Sequence, residues 1–134
     1  MSSDPQTASE SKAMLWTGRV LSALPALFLV FDGAMKLVQP EPVVKATVGL
    51  GYPVSVLTGL GIVLLTCTLL YLLPRTAVLG AILLTGYLGG AVASHVRVGE
   101  GWFPTLFPAI FGALLWGGLY LRDRRLRQLL PLRN

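Results

Sequence analysis

The chain has 134 residues, 54% of them hydrophobic and only 13% charged, with a net charge of +5. A soluble domain carries about a quarter charged residues, and one this small could not bury so much apolar side chain. A water-soluble globule is therefore excluded, and a lipid bilayer must supply the apolar surroundings.

Residues 1–13, MSSDPQTASESKA, are polar and read as a disordered N-terminal arm. They are not a signal peptide, because Asp4 and Glu10 oppose Lys12 and the following apolar run is too long. A first span is expected over residues 14–38. Trp16 suits a headgroup-level anchor, and Arg19 can snorkel to the same surface. Pro25 should loosen the helix locally by freeing the Leu21 carbonyl. Asp32 and Lys36 share a face one turn apart, and Pro40 and Pro42 end the helix. In the connection 39–53, Pro42 can open a short interfacial helix that Gly49 and Gly51 close.

The second span, residues 54–73, carries no charge, and Tyr71 near its end suits an aromatic belt. Its Cys67 is the only cysteine, which rules out an intrachain disulfide or a Cys-x-x-Cys pair and fits a small buried hydrophobe. Leu73-Pro74-Arg75-Thr76 is a tight turn, so spans two and three should be antiparallel neighbours. The third span, residues 77–96, places Gly86, Gly90 and Ser94 every four residues, a small-residue stripe suited to close helix packing within one bundle or across a dimer. The fourth, residues 103–121, has Pro108 as a kink near its start, with Trp116 and Tyr120 toward its end. A basic tail, residues 122–134, follows with five arginines, Arg122, Arg124, Arg125, Arg127 and Arg133. Arginines beside a hydrophobic span meet anionic headgroups, so nucleic acid is not the expected partner.

The fold class is thus all-α, an integral membrane four-helix bundle. An even number of spans puts both termini on one side. That side holds Lys12, Arg19, Arg75 and the tail arginines, against Lys36, Lys45 and Arg97 on the other. The positive-inside bias makes both termini cytoplasmic.

Chemistry is confined to the outer half. At about 1.5 Å per residue, Asp32 lies roughly a turn inside the far boundary and His95 near it. A carboxylate within a span costs about 2.5–3.5 kcal/mol at the centre and less toward the edge. Lys36 can neutralise Asp32 in the favourable acid-first order, with Arg97 or His95 as further donors. The pair is either a structural ion pair that docks span one or the heart of a polar ligand site, and the residues alone leave both open. His95 either faces water or carries a proton near neutral pH. Tyr87, two turns before it, either lines a cavity or bonds a neighbouring carbonyl. One histidine with scattered acids gives no metal-ligand spacing. No nucleophile elbow, phosphate loop or dinucleotide fingerprint is present.

The stretches FDGAMKLVQPEP, LGYP, LLPRTAVLGAILLTGYLGGAVASHVRVGEGWF and WGGLYLRDRRLR together resemble the DoxX-like family of small four-span bacterial membrane proteins. The resemblance implies a multi-pass protein of the bacterial inner membrane. The wider group includes a subunit associated with quinone-linked sulfur oxidation, components of membrane redox complexes, and assembly helpers. It therefore implies an accessory subunit, or a component that binds a lipid or quinone-like ligand. No cofactor beyond such a molecule is expected, and the partners are the bilayer and a membrane protein or a second copy. Asp32, Lys36, Tyr87, His95 and Arg97 are the candidate ligand-binding residues. The alternative is a membrane-embedded acid/base enzyme for a lipophilic substrate, with Asp32 and His95 as catalytic groups. A small transporter is a third reading, opposed by the uncharged second and fourth spans.

Overall fold

A computed structural model describes residues 5–129, with side chains from Lys12 onward. The residues expected at 1–4 and beyond Leu129, Arg133 among them, lie outside that range.

Helix α1 (Pro5–Val38) has 34 residues, about 51 Å at 1.5 Å per residue, against a hydrocarbon core of about 30 Å. It begins within the stretch expected to be a disordered arm. Pro5 is tolerated in a first turn, where its missing N–H has no intrahelical partner. The alanines, Gln6, Glu10 and Lys12 that follow are good helix formers. Pro25 lies inside α1 without ending it.

Helix α2 (Glu41–Gly49) follows Pro40, whose backbone is extended, so it opens one residue before Pro42. Gly51 turns the chain at φ +92°, a value that disfavours any residue with a Cβ. A single 3-10 turn, Val54–Val56, leads into α3 (Leu57–Leu72). Helix α4 (Ala77–Val98) ends in left-handed Gly99, φ +70°. Helix α5 (Trp102–Arg122) contains Pro108, and a short α6 (Arg124–Leu129) ends the described chain.

Helices α1, α4 and α5, and α3 together with the 3-10 turn before it, are each long and apolar enough to cross a membrane. They pack as a square: α1 touches α3 and α5, and α4 touches α3 and α5. Helices α1 and α4 therefore face each other across the diagonal. Two crossings are made by paired glycines. A Cβ on Gly18 would stand 2.8 Å from the Gly118 carbonyl oxygen, and one on Gly61 would stand 2.8 Å from that of Gly33. Gly80 lies against the backbone of Tyr71, which makes α3 and α4 the antiparallel neighbours that the Pro-Arg turn predicts. The stripe Gly86, Gly90, Ser94 is not a seam within the bundle. A Cβ on Gly86 or Gly90 would meet nothing within 4 Å, and only Ser94 is buried. Four-residue spacing marks one side of a helix but does not say which way that side points.

Tyr71 is a core residue rather than a belt anchor. It is fully buried, and its hydroxyl is hydrogen-bonded to Ser22 Oγ at 2.9 Å and to the Leu115 carbonyl at 2.5 Å. One phenol thus ties α3 to α1 and α5. Trp116 likewise faces a neighbour, its indole N–H donating to Thr85 Oγ1 of α4 at 2.6 Å. Cys67 is buried. The outside of the bundle carries Leu24, Leu27, Phe31, Ile62, Leu69 and Ile82, all exposed. That is far more apolar surface than water-soluble monomers tolerate.

Candidate functional site

The five sequence-predicted residues fall in two groups, an inner one that includes Tyr87 midway along α4 and an outer one at the far end of the bundle, away from the termini. The inner group starts with Asp32, about 9 Å before the end of α1 at 1.5 Å per residue. Its Oδ1 accepts from Lys36 Nζ at 2.7 Å. The Lys36 side chain is 15% exposed and that of Asp32 35% exposed. The lysine is the more covered because its stem lies over Gly61 of α3, where a Cβ would come within 3.1 Å of Lys36 Cβ. Removing one member of a covered pair leaves an uncompensated charge, so each holds the other in place.

Tyr87 approaches from α4. It is half-buried and packs against the core. The expected bond to a neighbouring carbonyl is not made: among the described residues its hydroxyl has no hydrogen-bond partner. Three polar side chains inside the spans therefore keep bonding capacity to spare. Lys36 has two further donors, Asp32 a second oxygen, and Tyr87 a whole hydroxyl.

The outer group is made of stitches. His95 Nδ1 lies 2.6 Å from Glu100 Oε2 in the α4–α5 turn. Arg97 Nη2 donates to the Leu50 carbonyl at 3.4 Å and sits where a Cβ on Gly51 would be. Tyr52, which the sequence did not single out, shares a hydrogen bond of 2.6 Å with Ser94 Oγ, and Ser94 donates to the Gly90 carbonyl at 2.9 Å. Gln39, left-handed at φ +61°, donates from Nε2 to Thr58 Oγ1 at 3.1 Å. The linker 39–53 is thereby fastened to α3 and α4 over the far end of the bundle. The available signal for Tyr52 was a hydroxylated aromatic beside Pro53 at the mouth of a span, a place where such a ring seeks a polar partner.

Asp32 and His95 are not brought together. No hydrogen bond or ion pair joins them, and each has its own partner. Spans one and three end on the same side, but α1 and α4 stand at opposite corners of the square, each packed mainly on α3 and α5. Among the described residues, no three His, Cys, Asp or Glu side chains are placed to share a metal ion.

Four apolar helices around an intramembrane ion pair define a multi-pass helical membrane protein. The sequence matches the DoxX-like family over residues 20–118, from early α1 to late α5. The match spans well over half of the 134 residues, and the chain belongs to that family. Neither a search of curated proteins nor one of solved structures finds a match.

Proposed function

We propose that this chain is a non-enzymatic membrane component that holds the polar head of a lipophilic, quinone-like molecule between α1 and α4. Asp32, Lys36 and Tyr87 receive the head, and the chain serves as an accessory part of a redox-linked membrane assembly. One observation carries the reading: the Tyr87 side chain is half-buried inside a span, and among the described residues its hydroxyl has no hydrogen-bond partner. Inside a span no water serves that hydroxyl, and a ligand carbonyl or hydroxyl would serve it instead. The Lys36 ammonium adds a charged donor for the same head. His95 and Arg97 act indirectly, by fastening the turn and the linker above. The acid/base alternative has less support, because His95 faces Glu100 rather than Asp32.

The test uses purified protein in neutral detergent and a short-chain benzoquinone, with retention measured by native mass spectrometry. Tyr87→Phe should lower affinity about tenfold, the size of one well-placed hydrogen bond. Its thermal midpoint in the absence of quinone should stay unchanged, since no protein partner is lost. Equal retention by the native protein and by Tyr87→Phe and Asp32→Asn variants would refute the site.

A further inference from the structure

The opposite end of the bundle holds a second feature, independent of the proposed quinone site. Where α1, α4 and α5 emerge beside both termini, the structure forms a cleft of about 570 Å³. Its walls are of two kinds. Leu15, Ala77 and Leu119 line it with hydrocarbon, and Arg19, Arg122, Arg124 and Arg125 bring four guanidinium groups to it.

The lone acid of the cleft does not neutralise them. Asp123 Oδ1 accepts the backbone N–H groups of Arg125 at 2.9 Å and Leu126 at 3.2 Å, and so caps the start of α6. The ion pairs among the described residues are Asp32–Lys36, Glu41–Lys45 and His95–Glu100. All lie at the far end, so no arginine of the cleft has a carboxylate partner among the described residues. Arg122 is the fixed member. Its Nη2 donates to the Tyr71 carbonyl at 3.0 Å, and its guanidinium stacks 4.8 Å from the Tyr71 ring centroid. Its Nε is buried with no hydrogen-bond partner. A buried, charged N–H without an acceptor is costly, and the fold tolerates it beside an open cleft.

We infer that this cleft binds the phosphate of an anionic phospholipid. Guanidinium groups match phosphate oxygens in paired hydrogen bonds. The pre-oriented Arg122 supplies the anchor, and Arg19 and Arg124 close around the headgroup. The apolar wall decides between a lipid and a soluble phosphate. Leu15 is half-buried and Ala77 and Leu119 belong to the core, but beside them Val20 of α1 and Val78 and Leu79 of α4 are exposed, so a chain leaving the phosphate runs down a surface already apolar. A free anion would leave that wall bare. This contact is also directional. It would seat one lipid against three helices and brace the ends of α1 and α5 where Gly18 and Gly118 cross.

The experiment uses the full chain in neutral detergent, titrated with phosphatidylglycerol, phosphatidylcholine or inorganic phosphate. Readouts are native mass spectrometry and the thermal midpoint. Arg122→Gln would disturb the Tyr71 contact and is not informative alone. Arg19→Gln and Arg124→Gln remove cleft charges without breaking a hydrogen bond of the bundle. Lys12→Gln removes one exposed charge from the same end, outside the cleft. The expected result is a one-to-one phosphatidylglycerol adduct, absent with phosphatidylcholine, together with a raised midpoint. Each cleft variant should weaken the adduct fivefold or more, and Lys12→Gln less than twofold. Equal loss in all three variants would reduce the effect to diffuse surface charge and overturn the site. Stabilisation by inorganic phosphate equal to that by phosphatidylglycerol would overturn the lipid assignment.

Discussion

Tyr71 and Tyr87 are both phenols in spans, and their hydroxyls have opposite circumstances. That of Tyr71 is bonded to Ser22 and Leu115 from two other helices. Tyr71→Phe leaves two buried polar atoms short of a partner and should cost about 1–3 kcal/mol, seen as a lower unfolding midpoint in detergent. Tyr87→Phe should shift the same midpoint by less than about 0.5 kcal/mol, the usual range where no specific contact is lost. A result in which the two variants destabilise equally would mean that Tyr87 has a protein partner after all. The sequence reading placed Tyr71 at the membrane surface and left Tyr87 between lining a cavity and bonding a neighbouring carbonyl. The reason is physical. Position along a span can be counted from the turn, but the direction of a side chain depends on where the neighbouring helices stand. Asp32 and Lys36 were legible because their contact is local, one turn apart on the same helix, and needs no tertiary knowledge.

The same limit governs the helices. Four spans, the Pro-Arg turn and the short helix after Pro40 were all readable from apolar run lengths and from Pro and Gly punctuation. The partner of each glycine was not. Gly86 and Gly90 form the visible pattern, yet the bundle closes at Gly18 with Gly118 and at Gly33 with Gly61, pairs separated by long stretches of chain. Gly61→Ala places a Cβ 2.8 Å from the Gly33 carbonyl oxygen, a backbone atom that cannot swing away. It should cost about 1–3 kcal/mol, as overpacking does. Gly90→Ala meets nothing within 4 Å and lies in a helix interior. There alanine should be neutral or more stable by about 0.5–1 kcal/mol. Denaturation in mixed micelles, followed by helical circular dichroism, compares the two. Should Gly90→Ala instead be the damaging change, a second copy of the chain covers that face.

For the molecule as a whole, the two ends differ in chemistry as well as in connectivity. At the far end every described acid has a basic side chain beside it: Asp32 has Lys36, Glu41 has Lys45 and Glu100 has His95. The terminal end carries the arginines in excess. Among the described residues, Lys12, Arg19, Arg75, Arg122, Arg124, Arg125 and Arg127 stand there, against Lys36, Lys45 and Arg97 opposite. Retention of Lys and Arg on the cytoplasmic side predicts a bundle with its termini inward and the fastened linker outward. The orientation can be tested chemically, because the only native cysteine, Cys67, is buried within α3. In a Cys67→Ala background, Lys45→Cys places a thiol where the native side chain is 75% exposed on α2. Gln128→Cys places one on exposed α6 at the other end. A membrane-impermeant maleimide added to intact bacterial cells should label Lys45→Cys at once. It should reach Gln128→Cys only after the membrane is opened. The opposite pattern would turn the bundle over, and the arginine-lined cleft would then face the outer leaflet.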